Sequence, residues 1–149
     1  MRQNELMVGD WVKLDFYDTP YGDEEDAVWK NGKITAIHHK NWVDINFGGP
    51  LDECDIEVED VRPIPLTPEI LEKNGMRVFE HRNPWQGDNL IKKWYHKSGS
   101  YYVSLYKVGQ NQTFTIGGVY YPSRICNVRY VHELQHALRL CGIEKQIEL

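Results

Sequence analysis

The order of apolar and polar residues changes character three times along this chain of 149 residues. From Met7 to Leu66 it alternates in short runs broken by turn residues. Val12, Leu14 and Phe16 fall on one face of a first strand and Trp11, Lys13 and Asp15 on the other, the period of two that a half-buried strand requires. "KITAIHH" (Lys33 to His39) and "NWVDINF" (Asn41 to Phe47) read as a hairpin, with Val43, Ile45 and Phe47 inward and Trp42, Asp44 and Asn46 outward. "IEVEDVRPI" closes the set. Short antiparallel strands after a "GDWV" opening, with a long acidic loop behind the first, predict a small SH3-like β-barrel over residues 1–66.

The pattern then becomes helical for one short stretch, "PLTPEILEKNG". Thr67 is an N-cap whose hydroxyl accepts from a first-turn N–H, Pro68 suits the first helical position and Glu69 complements the helix dipole. Gly75 takes the left-handed conformation past the last turn. A short linking helix is therefore expected within residues 67–75.

Strand character returns in "MRVFEHR", "IKKWYHK", "YYVSLYKV" and "TFTIGGVYY", four runs rich in aromatic and β-branched residues. Gly117 and Gly118 mark a turn or bulge in the last. The chain closes on "RYVHELQHALRLCG", where Tyr130, Val131, Leu134, Ala137, Leu138 and Cys141 make one apolar stripe at helical spacing and Gly142 ends the helix. Residues 76–149 are expected to form an antiparallel β-meander packed by this terminal helix. The fold class is α+β.

Composition narrows the function. The net charge is −5, and "GDEED" and "LDECDIEVED" together hold ten carboxylates, which makes nucleic acid an unlikely partner for that half. An aromatic platform for a single strand is conceivable at Trp94, Tyr101, Tyr102 and Tyr106 beside Lys92, Lys93 and Lys107; a sheet face covered by the terminal helix explains the same residues. Cys54, Cys126 and Cys141 are an odd number without repeated spacing, and the amino terminus lacks the basic and apolar regions of a signal peptide. A reducing cytoplasm is expected, with Cys54 and Cys141 as small buried hydrophobes. No run approaches the roughly 20 apolar residues of a membrane span.

The candidate chemistry lies in the closing helix. His132, Glu133 and His136 spell HExxH, which places two imidazoles four residues apart on one side of a helix with a carboxylate able to polarise a zinc-bound water. On the helical wheel, however, His132 and His136 lie nearly opposite the apolar stripe, with Arg129, Glu133 and Arg139, as a solvated face. A catalytic zinc also needs a third protein ligand. Glu144 and Glu148 fall at neither of the usual downstream spacings; His81 and His96 upstream are candidates, and Cys126 could join a structural site. His38 and His39 read as hairpin-end residues. Trp11 and Trp42, outward on the barrel strands, are the candidate binding surface for an extended protein or peptide segment, unless they bury against the second lobe.

Three stretches, "GDWV", "VRPIPLTPEILEKNG" and "RYVHELQHALRLCGIE", together resemble a family of small uncharacterised proteins encoded by gut-bacterial genomes, prophages and mobile elements. That family's closing helix reads YVHQLQN. It is matched here at Tyr130, Val131, His132, Leu134 and Gln135 and departed from at Glu133 and His136. The resemblance implies that HExxH is a variant of a helix signature, and it brings no activity. The expectation is a non-catalytic interaction module of phage or mobile-element type without cofactor; the alternative is a zinc-dependent hydrolase using His132, Glu133 and His136.

Overall fold

The computed structural model describes residues 2–17, 27–49, 53–83, 89–98, 101–108, 114–117 and 124–149. The chain divides into two compact units, Met1–Ile64 and Pro65–Leu149. Together they give an α+β fold that is mostly β.

In the first unit, β1 (Trp11–Tyr17), β2 (Ala27–Ile37), β3 (Trp42–Asn46), β4 (Glu53–Glu57) and β5 (Arg62–Pro63) form one antiparallel sheet in the order β4-β3-β2-β1-β5, curled into a half-barrel. Its concave side buries Val12, Ile34, Val43 and Ile45 with Leu6, Val58 and Val61; Ile37, Phe47 and Ile56 pack around them. The alternation expected of β1 and β3 is obeyed at every described side chain. Burial of each such side chain stabilises the unit by roughly 1.5–3 kcal/mol relative to exposure.

β2 starts six residues before the run read as a strand in its sequence, because "AVWKNG", interrupted by Lys30, Asn31 and Gly32, is ordered by pairing. β1 and β2 stay in continuous register from Tyr17↔Ala27 to Trp11↔Lys33. Within this ladder Gly32 leaves room for Ile45 and Phe47 to pack over the backbone of β2: a Cβ there would stand 2.4 Å from Ile45 Cγ2 and 2.8 Å from the Phe47 ring. The "GDWV" opening has a local explanation too. Gly9 N–H donates to Ile34 O at 2.7 Å, Ile34 N–H donates back to Asp10 O at 3.0 Å, and the buried Asp10 carboxylate accepts from Met7 N–H at 2.7 Å.

In the second unit, α1 (Pro68–Lys73) precedes β6 (Arg77–Asn83), β7 (Asn89–Ser98), β8 (Tyr101–Val108), β9 (Phe114–Gly117) and β10 (Arg124–Val128), and α2 (Val131–Leu140) follows. The five strands make an antiparallel meander in the order β10-β9-β8-β7-β6. The four strands expected from the sequence are present; β10 was not expected, because "RICNV" is short and runs into the helical pattern. Gly117 pairs with both Ser104 and Arg124, and the β9–β10 register shifts between Arg124 and Cys126. Gly118 lies outside the described residues.

α1 begins as its sequence dictates, with Ile70 N–H donating to Thr67 Oγ1 at 3.4 Å. Both helices end before a glycine at φ 69°, Gly75 and Gly142. The end of α1 is held by the chain's last residues. Asn74 Nδ2 donates to Ile70 O at 2.8 Å and to Glu148 O at 2.7 Å, while Asn74 Oδ1 accepts from Glu148 N–H at 2.9 Å. Inside the unit Trp94, Leu105, Phe114 and Val128 are buried along the sheet, with Val131, Leu134 and Leu138 buried on α2. Trp94 meets Phe114 edge to face at 5.4 Å between centroids, a geometry that aromatic quadrupoles favour. No described helix is long and apolar enough to cross a membrane.

Candidate functional site

The closing helix bears out its apolar stripe and corrects the opposite face. His132 is 4% exposed and Gln135 6%, so the first two turns of α2 are buried over far more than the stripe of Val131, Leu134 and Leu138. The His132 ring stacks on Tyr130 at 5.8 Å with 8° between planes and meets His136 edge to face at 5.8 Å. A histidine expected in solvent is instead part of an aromatic stack. His136 and Glu133 are half-buried, and Arg139 is exposed as expected.

Glu133 has a structural task. It is the third helical residue, and its Oε2 reaches back to accept from Tyr130 N–H at 3.2 Å and from Arg129 N–H at 2.6 Å. The first N–H groups of a helix lack partners within it, and a carboxylate three residues in can supply one. Among the described residues no third His, Cys, Asp or Glu donor is grouped with His132 and His136 within reach of one ion. The side chains of His81 and His96 lie outside the described residues. Cys126 and Cys141 are free and half-buried, so Cys141 is less enclosed than expected. Burial pushes the Cys126 thiol upward, assisted by Cys141 and Glu133, which disfavours its thiolate form.

The first unit gathers polar groups at one place, where β2 turns into β3. His39–Asn41 forms a single 3-10 turn, with Asn41 at φ 66°; Asn is among the residues that accept this left-handed conformation most readily. His38 N–H donates to Trp42 O at 2.9 Å and Val58 N–H to Asn41 O at 2.8 Å, which fixes the turn to the sheet. Beside it the β3–β4 ladder steps from Val43↔Ile56 to Ile45↔Glu53. Asp44 thus faces two residues, Cys54 and Asp55, a bulge of the kind that re-aims side chains. Asp55 takes φ 60° there, and its N–H donates to Asp44 Oδ1 at 3.1 Å.

The other Asp44 oxygen pairs with His38 Nε2 at 2.9 Å. Ligating atoms of His38, Asp44 and Asp55 all lie within 4.8 Å of one another. The hydrogen bond to Asp44, and then its charge, raise the His38 imidazole above its ordinary value, with a smaller contribution from Asp55. Asp44 is lowered in turn, first by His38 and then by the Asp55 amide. A pocket of about 620 Å³ opens beside the pair, lined by Gln3, Ile37, His38, His39, Trp42 and Asp55. Gln3 Nε2 donates to His38 O across it. On the edge strand Glu57 pairs opposite Trp42. A hydrogen bond shared with Glu59 raises the Glu57 carboxyl above its usual range, with burial and the charges of Glu59 and Asp60 adding to it.

Of the two tryptophans expected to share a binding surface, Trp42 lines this pocket and Trp11 does not. Trp11 is level with Lys33, and Lys33 with Asn46, whereas Trp42 lies four residues further along β3, about 13 Å at the usual strand rise of ~3.3 Å per residue. Lys33 Nζ sits 4.8 Å from the Trp11 ring centroid, and Lys13 Nζ 4.7 Å from that of the exposed Trp29. These are cation–π pairs that occupy the rings. Trp94, placed in a possible nucleic-acid platform, is fully buried, and its Nε1–H donates to Glu72 Oε1 at 3.4 Å. The side chains of Tyr101, Tyr102, Tyr106, Lys92, Lys93, Lys107 and Cys54 lie outside the described residues.

Sequence reasoning treated His38 as the end of a hairpin and passed over Asp44 and Asp55. The outward position of Asp44, diagonal to His38 across the β2–β3 ladder, was a usable signal; Asp55 was not findable, since only the bulge turns it toward them. No protein-family model, curated protein or solved structure matches this chain.

Proposed function

We propose that this chain is a non-catalytic binding module of the cytoplasm, its first unit an SH3-like barrel that grips a protein or peptide segment at the pocket beside Trp42. The observation that carries the reading is the pocket's lining. Trp42 and Ile37 supply apolar contact, and Gln3, His38, His39 and Asp55 supply hydrogen-bonding groups, around about 620 Å³ of open volume. Ligand sites typically combine an apolar surface with a few placed polar groups in this way, and small barrels bind extended segments through aromatic-lined grooves.

Residues 1–64 carry fifteen Asp or Glu against six Lys or Arg. That excess disfavours a phosphate backbone and favours a cationic partner. The phage or mobile-element setting is proposed from the three stretches of sequence resemblance. Free thiols at Cys126 and Cys141 suit a reducing compartment. Against the zinc-hydrolase alternative stands Glu133, whose carboxylate caps its own helix.

The test is an NMR titration of isotope-labelled protein with extended peptides of basic, neutral and acidic composition. The basic peptide is expected to shift the amides of residues 38–46 and 55, and Trp42→Ala to abolish the shifts. Shifts confined to other surfaces, or none with any peptide, would refute the reading.

A further inference from the structure

We infer that His38, Asp44 and Asp55 form a site for one divalent transition-metal ion whose open coordination positions face the pocket beside Trp42. As an account of how that pocket holds its partner, this rests on the binding-module reading. As a metal site it stands on its own geometry.

The donors come from three neighbouring strands: His38 follows the end of β2, Asp44 is central in β3, and Asp55 is the bulged residue of β4. The sheet therefore fixes the three backbones relative to one another. Zinc takes N and O ligands at about 2.0–2.2 Å, so neighbouring donors around one ion stand roughly 3–3.5 Å apart. His38 Nε2 and Asp44 Oδ2 are already 2.9 Å apart. All three donors lie within 4.8 Å of one another, and Asp55 is exposed, so rotation of its side chain closes the set.

The chemistry selects the class of ion. One imidazole with two carboxylates suits Zn²⁺, Co²⁺, Mn²⁺ or Fe²⁺, whereas Mg²⁺ and Ca²⁺ take all-oxygen sets. Two carboxylates neutralise the ion, and the acidic excess of residues 1–64 attracts it. The independent observation is the void itself. Two of the three ligands, His38 and Asp55, open into it together with a second imidazole, His39. Three protein ligands leave positions there for water, His39 or a partner's donor atom, as an open zinc site requires.

The experiment titrates the EDTA-stripped full chain with Zn²⁺ alone by calorimetry, and with Co²⁺ by visible absorption. One equivalent is expected to bind. Asp55→Asn, which keeps a residue tolerant of the left-handed conformation, and His38→Gln should each weaken binding by at least the roughly tenfold that even a supporting residue around a metal is worth. His136→Asn should leave it unchanged, with circular dichroism checking the fold of each variant. Absence of binding, binding indifferent to either Asp55→Asn or His38→Gln, or loss with His136→Asn would overturn the inference. Peptide binding without any zinc binding would refute the metal site and leave the binding module standing. Zinc binding without peptide binding would do the reverse.

Discussion

Replacing Glu133 by alanine separates a helix cap from a catalytic base. The carboxylate accepts two backbone N–H groups, from Tyr130 at 3.2 Å and Arg129 at 2.6 Å, at the positive end of α2. Loss of an N-terminal capping acceptor costs about 1 kcal/mol, and loss of a negative charge near the helix start a further ~0.3–1 kcal/mol. Alanine returns a few tenths through its better helix propensity, leaving a net destabilisation of about 1–2 kcal/mol. Gln at the same position keeps an oxygen acceptor without the charge and should recover roughly half. In urea, with a slope of about 2 kcal/mol/M, the middle of the usual range, the alanine midpoint should fall by roughly 0.5–1 M as followed by far-ultraviolet circular dichroism. Amides of residues 129–134 should exchange faster than the rest of the second unit. A catalytic group behaves oppositely, since its removal commonly leaves stability unchanged or raises it. An alanine variant as stable as the parent would refute the capping account and return HExxH to consideration.

Three further outcomes test other parts of the structure. Gly32→Ala introduces a Cβ into space that Ile45 and Phe47 already fill and should cost about 1–3 kcal/mol; an unchanged urea midpoint would mean the half-barrel is less tightly curled than described. Asn74→Ala removes three hydrogen bonds and should cost roughly 2–4 kcal/mol at a net ~0.5–1.5 kcal/mol each; a loss below about 0.5 kcal/mol in the same assay would show that water replaces them. In metal-free protein, NMR titration should find His38 above its ordinary 6.5, returning toward it in Asp44→Asn. The sign follows from both partners. His38 is raised and Asp44 lowered from 3.8, so the pair's contribution is fully present between those ordinary values. It is lost as pH rises through the raised His38 value or falls through the lowered Asp44 value; an unshifted His38 would rule the pairing out.

Legibility of the fold in the sequence followed the strength of local patterns. Alternation placed Val12, Leu14, Val43 and Ile45 inward, and the cap and glycine chemistry bounded α1 and α2, because those signals act within a few residues. β2 was seen only in part: its first half, Ala27 to Gly32, mixes apolar and polar residues without a clean alternation and owes its conformation to β1, a non-local cause. β10 was missed for a similar reason, as its five residues become a strand through pairing with β9. The wheel misjudged His132 because it assumed one buried side, whereas the start of α2 is enclosed on several. Of the site, Trp42 was legible as an outward aromatic. Its association with His38 and Asp55 depends on a turn and a bulge that no local pattern announces.

The clamp between Asn74 and Glu148 spans 74 residues, and that separation has a kinetic meaning. Closing so long a loop directly is entropically costly, whereas the hairpins β6 to β10 between the two residues close over short connections, so the clamp is expected to form late in folding of the second unit. During synthesis α1 leaves the ribosome early and waits for its final partner until residue 148 has followed. Weakening the clamp should then speed unfolding while leaving the refolding rate almost untouched, which makes it a late latch: it sets how long the unit stays folded and has little part in how fast it gets there.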